Sequence, residues 1–123
     1  MPFLGLEQVF DGDEYIYFVG GRTAVGISKC GPEYEKERFV QQKIGLHHFC
    51  LRGKSQEDID KIYDYLIGME AKVVEKPRVG EWAPGYYFVL FEDPIGTRIE
   101  VNYVPGKGVL AEGVGFTPGK HYR

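Results

Sequence analysis

The chain has 123 residues, enough for one hydrophobic core and too few for two independent ones, so a single domain over 1–123 is expected. Fifteen basic against eighteen acidic residues give a formal charge of −3 without a long block of either sign, which removes the concentrated basic face that nucleic acid requires. No run reaches the ~20 apolar residues of a membrane span, and the N-terminus lacks a charged region followed by an apolar one; a soluble, cytoplasmic protein with neither nucleic acid nor membrane as partner is expected.

In chain order, Leu4-Gly5-Leu6-Glu7 opens a run of short β patterns: Gln8-Val9-Phe10, an aromatic stretch Tyr15 to Val19, a Gly20-Gly21 turn and a strand Arg22 to Ser28. The charged segment that follows, 29–44, contains Gly31-Pro32 and reads as a linker with one helical turn. Next comes a strand, Leu46 to Leu51, in which Phe49 and Leu51 share one face and His48 and Cys50 the other. Cys30 and Cys50 fit no paired-cysteine pattern, which argues against a zinc finger or a disulfide scaffold. Cys50 reads as a small buried residue and not as a nucleophile.

Ser55-Gln56-Glu57-Asp58 starts a helix: a hydroxyl caps the first amides, and acids sit at the positive end of the dipole. Ile59, Ile62, Tyr63 and Leu66 give it one apolar stripe, and Gly68 is its expected C-cap. Ile67-Gly68-Met69-Glu70 then repeats the signal of residues 4–7. A short strand pattern follows, then the loop 79–85 carrying Trp82, the aromatic run Tyr86 to Phe91, a Gly96 turn and the strand Arg98 to Val104.

This last strand alternates strictly. Ile99, Val101 and Tyr103 should meet the helix, leaving Arg98, Glu100 and Asn102 on the opposite face beside His48. The polar face of such a strand is either the lining of a wet cup or plain solvated surface. In the aromatic run, parity allows either Tyr86, Phe88 and Leu90 or Tyr87, Val89 and Phe91 to line the cup. Trp82 reads either as a lid over an apolar ligand or as an aromatic packed on the sheet edge. The stretch 105–123 lacks periodicity and reads as an extended arm.

The ordered set Gly45-Leu46-His47-His48-Phe49, Phe91-Glu92-Asp93-Pro94-Ile95-Gly96-Thr97-Arg98-Ile99-Glu100 and Val101-Asn102-Tyr103 resembles the βαβββ module of the vicinal oxygen chelate superfamily. That superfamily includes glyoxalases, bleomycin- and fosfomycin-resistance proteins and extradiol dioxygenases. The resemblance covers a full module at 45–104 and a partial one at 4–28. It implies an α+β fold of paired modules forming a cupped mixed sheet, the first module lacking its initial strand and helix.

The resemblance further implies a divalent metal held by His48 and Glu100, donor types that suit Zn, Mn, Fe, Ni or Co, and strand parity and the 79–85 loop make Trp82, Tyr86, Arg98 and Asn102 the candidates around a small-molecule substrate. His47 faces the other way. Glu100 and Tyr87 are the acid/base candidates. A departure accompanies this: the family's first module normally supplies a His from the strand that is missing here, and aligning Gly21 with Gly96 sets Val25 where Glu100 stands. Either the natural chain starts further upstream, or a shortened protein leaves a sheet edge open. In both cases a homodimer is expected. Three readings of function follow: a metal-dependent lyase, isomerase or dioxygenase acting on an oxygen-rich substrate; a metal-free binder of the drug-resistance type; and a truncated product without activity of its own.

Overall fold

The computed structural model describes residues 4–114. Of the arm expected at 105–123, residues 115–123 lie outside them, and the described part is not simply extended, since it forms a short 3-10 turn at Gly108–Leu110. The fold is α+β, with two β-sheets and one α-helix among the described residues. Contacts divide the chain into two compact units, Met1–Glu37 and Arg38–Arg123, and the break falls inside the segment expected to be the linker. The helical turn expected there is a short 3-10 turn at Pro32–Tyr34.

The first unit is an antiparallel meander of β1 (Glu7–Asp11), β2 (Tyr15–Gly20) and β3 (Thr23–Ser28). β1 and β2 slip register between Gln8 and Phe10, a β-bulge that places Val9 between paired positions. Gly20 is fixed by crowding, because a Cβ there would lie 2.3 Å from the Gly5 carbonyl oxygen and 2.8 Å from a Leu6 methyl. That close approach lets Leu6, 4% exposed, tuck against the end of β2. Phe18 pairs with Val25 in this sheet.

The second unit is one complete βαβββ module: β4 (Phe49–Arg52), α1 (Gln56–Gly68), β5 (Lys72–Val79), β6 (Tyr87–Glu92) and β7 (Arg98–Tyr103). The order across the sheet is β4-β7-β6-β5; β4 runs parallel to β7, and the other pairs are antiparallel. Pro77 lies in β5, an edge strand interrupted by register shifts, where a missing N–H costs no ladder bond. At the β6–β7 turn the Asp93 carboxylate accepts from the amides of Ile95 and Thr97, at 3.0 and 2.8 Å, and Gly96 takes a left-handed φ of 101°.

Helix α1 starts as its sequence requires: Ser55 Oγ accepts from the Asp58 amide at 3.2 Å, and the Asp58 carboxylate reaches back to the Lys54 amide at 2.9 Å. Its end differs from expectation. Gly68 is the last helical residue, and the left-handed position two residues on is taken by Glu70 at φ 57°. The amides of Glu70 and Ala71 close onto the carbonyls of Ile67 and Leu66, a Schellman motif with a glutamate where glycine is favoured. The buried face of the helix, led by Ile59 and Leu66, meets β5, β6 and β7; on the same side of the sheet lie Val89 and Val101. Among the described residues no helix is long and apolar enough to cross a membrane.

Candidate functional site

Strand parity decides which side chains can meet. Cys50 pairs with Glu100 across β4 and β7, while Leu90 pairs with Glu100 and Phe88 with Asn102 across β6 and β7. These residues therefore share the face away from the helix. Arg98, paired with Glu92, belongs to it too. His48 precedes the first residue of β4: ladder pairing begins at Phe49, shorter than the strand expected from Leu46, with the Gly45 backbone at φ 149° and Gln41 Nε2 bonded to the His47 carbonyl at 2.5 Å.

Glu100 is the centre of the face, and it is 1% exposed. A buried carboxyl group needs donors to replace the water it loses. On Oε1 they converge: Tyr86 donates its hydroxyl, Asn102 Nδ2 donates at 2.7 Å and Cys50 Sγ at 3.6 Å. Asn102, 2% exposed, also directs Nδ2 at Tyr86 Oη (2.6 Å) and Cys50 Sγ (2.8 Å). Its Oδ1 is buried without a hydrogen-bond partner among the described residues.

Cys50 departs from the buried strand residue expected of it. It is exposed as a residue, yet desolvation of its sulfur and the neighbouring Glu100 carboxylate push the thiol up to about 12, so it stays protonated and inert at neutral pH. His48 is shifted the other way. Burial lowers its pKa, Glu100 opposes that shift, and His47 and Arg98 add to it, so the neutral imidazole predominates at neutral pH. Its Nδ1 lies 2.7 Å from Nδ1 of His47, one ring donating and the other accepting.

An aromatic wall adjoins the carboxyl group. Trp82, only 4% exposed, packs edge-on against Tyr86 and Phe88, with ring centroids 5.0 Å away in each case. Leu90 and the partly buried Val74 complete this cluster. Trp82 is read either as a lid or as an aromatic packed on the sheet edge, and the structure folds the indole into the apolar half of the face, against Phe88 and Leu90 of β6 and beside Val74 of the edge strand β5.

Of the residues expected at the site, His48, Glu100, Tyr86, Arg98, Asn102 and Trp82 thus fall on or against one face. Tyr87 does not. Its opposite parity turns it to the helix, where its hydroxyl donates to Asp60 at 2.8 Å, and the phenol that reaches Glu100 is that of Tyr86. Cys50 is the site residue that the sequence reading missed, although its shared parity with His48 was available as a signal.

Imidazole and carboxylate are donor types that suit a first-row divalent ion, and His48 and Glu100 are two such donors. Catalytic sites usually have three protein ligands, and among the described residues no group of three His, Cys, Asp or Glu forms one. Val25, equivalent in strand register to Glu100, brings no carboxylate in the first unit.

A mixed sheet with a helix on one face and an imidazole and a buried carboxyl on the other is the arrangement of a glyoxalase-type protein. The chain belongs to the Glyoxalase/Bleomycin resistance protein/Dioxygenase superfamily, whose sequence profile matches residues 3–101. Members commonly bind divalent metals and small-molecule ligands, and often form dimers. Similar solved structures include a candidate glyoxalase of Bacillus halodurans (18% identity, TM-score 0.70, covering 84% of this chain and 78% of that one). The lactoylglutathione lyase of Agrobacterium tumefaciens is similar at 23% identity and TM-score 0.53, over 82% of this chain and 77% of that one. The fosfomycin resistance protein FosX of Listeria monocytogenes is similar at 14% identity and TM-score 0.60, over 88% and 80%. At such identities the likeness is one of fold. No curated protein matches the chain.

Proposed function

We propose that the second unit binds a small oxygen-bearing molecule on its Glu100 face, and that His48 and Glu100 hold a divalent cation there as two of its protein ligands. The observation that supports this reading is the placement, beside one sheet face, of a buried carboxyl and an imidazole whose pKa is lowered. The remaining coordination positions fall to the ligand and to groups outside the described residues. Zn, Mn, Fe, Ni and Co all accept these donor types. When bound, such an ion supplies Lewis-acid stabilisation of negative charge on a ligand oxygen. The chain's own residues do the rest: Arg98 and Asn102 present donors on the same face, and the Glu100 carboxyl is the group placed to take or return a proton. A lyase or isomerase of the glyoxalase kind, or a dioxygenase, fits this chemistry, in a soluble cytoplasmic setting.

The test is the metal content of the purified protein and of His48→Ala after washing and reloading with mixed divalent ions. The expected result is metal bound in stoichiometric amount by the parent and lost in the variant. Metal retained equally by both would overturn the assignment of His48.

A second reading has its own support. Glu100 Oε1 is already engaged by Tyr86 and Asn102, and a third ligand is missing among the described residues. A metal-free pocket that binds a ligand between Glu100 and the aromatic wall, without turning it over, is consistent with both. It predicts no metal in either protein, and ligand-induced thermal stabilisation that a chelator leaves unchanged.

A further inference from the structure

The segment from Gly80 to Gly85 is tied to Tyr86 in three ways. The Gly80 amide donates to the Tyr86 carbonyl at 2.6 Å, the Tyr86 amide donates to the Ala83 carbonyl at 3.1 Å, and the Tyr86 ring packs edge-on against Trp82. The far end of the same tyrosine donates its hydroxyl to Glu100 Oε1. One residue thus joins the carboxyl centre of the site to the loop that fills its apolar half. The loop is shaped for that filling: a Cβ on Gly80 would lie 2.5 Å from the six-membered ring of the Trp82 indole, so a side chain at position 80 and the indole cannot share the space.

We infer that Tyr86 is a latch between Glu100 and the 80–85 loop. A cation or ligand group that takes Glu100 Oε1 replaces the tyrosine hydroxyl there. The freed ring gives up its place beside Trp82, and the indole leaves the floor formed by Phe88, Leu90 and Val74, opening that apolar space to the rest of the ligand. Occupation of Glu100 and withdrawal of Trp82 are then two readings of one equilibrium, and each must favour the other to the same extent. The part concerning what occupies Glu100 rests on the site proposed above; the link from Tyr86 to Trp82 does not.

Trp82 is the only tryptophan of the chain, so acrylamide quenching of intrinsic fluorescence reports its accessibility directly. In the parent protein without added metal the indole should be shielded, and in Tyr86→Phe, which keeps the ring and removes the bond to Glu100, quenching should rise severalfold. Zn²⁺ should raise quenching of the parent to the level of Tyr86→Phe and leave that variant unchanged. Glu100→Gln, whose amide oxygen still accepts from the phenol, should stay shielded with and without Zn²⁺. Gly80→Ala approaches from the other side, displacing the indole at 2.5 Å and crowding the edge of the Tyr86 ring at 3.2 Å while leaving Glu100 itself intact, and should tighten Zn²⁺ binding severalfold by calorimetry. Equal shielding in Tyr86→Phe and the parent, or unchanged zinc affinity in Gly80→Ala, would overturn the latch. If calorimetry shows no zinc bound by the parent, the divalent-ion reading fails, and the comparison of Tyr86→Phe with the parent still decides the latch.

Discussion

Tyr86 and Tyr87 are adjacent in sequence and face opposite ways, one hydroxyl donating to Glu100 and the other to Asp60 of the helix. The pairing of Tyr87 with Asp60 raises the phenol's pKa, first through the hydrogen bond, then through desolvation and the carboxylate's charge. A raised folded-state value means that the unfolded chain gives up its proton first as pH climbs. The contribution of this bond is therefore complete below pH ~10 and is lost as pH rises through the folded value. Urea unfolding of the parent and of Tyr87→Phe should accordingly show a midpoint advantage for the parent at pH 8 that shrinks by pH 11. A constant difference across that range would show that the bond is not formed in solution. The sequence could not choose between the two tyrosines. The run Tyr86 to Phe91 is apolar on both faces, so its period of two carries no sign, whereas Arg98 to Tyr103 alternates polar with apolar and disclosed its buried face residue by residue.

Helix α1 shows the same division between what a sequence states and what tertiary structure overrides. Its start was legible in Ser55 and Asp58, and its inward face in Ile59 and Leu66, because capping and three- to four-residue spacing act locally. Its end was not. Gly68 looked like the stop, yet the helix includes it, and the left-handed residue is Glu70. A Cβ in that conformation costs roughly 1 kcal/mol relative to glycine. Glu70→Gly should therefore raise stability by about 0.5–1 kcal/mol by urea denaturation, unless the glutamate side chain makes up the difference with bonds of its own. A loss of stability would identify Glu70 as held there by its side chain. The strand before α1 was also read too long, because the backbone around Gly45 delays ladder pairing to Phe49; His48 nonetheless lies beside the Glu100 face.

The repeated Gly-containing signals at 4–7 and 67–70 made one and a half modules visible in the sequence, and the structure gives three strands in the first unit and a complete βαβββ in the second. A third ligand for the proposed cation was not legible, since it depends on which further groups meet the Glu100 face, a matter of tertiary or quaternary placement that no local pattern encodes. For the whole molecule we propose a homodimer. β4 forms one edge of the second sheet, and the outer backbone groups of such an edge strand are where a second copy can pair. Light scattering at micromolar concentration should give twice the chain mass of 14.0 kDa, and a monomeric mass would reject the dimer.

The two edges of that sheet are unlike, and Pro77 accounts for much of the difference. With a proline and register shifts in β5 and regular pairing in β4, the more regular edge of this sheet is the β4 side. A sheet with one favoured rim has nowhere further to extend once that rim meets its own image, while the first unit's sheet keeps edges of its own in β1 and β3. Association through the β4 rim would end at a symmetric pair and would not by itself propagate head to tail.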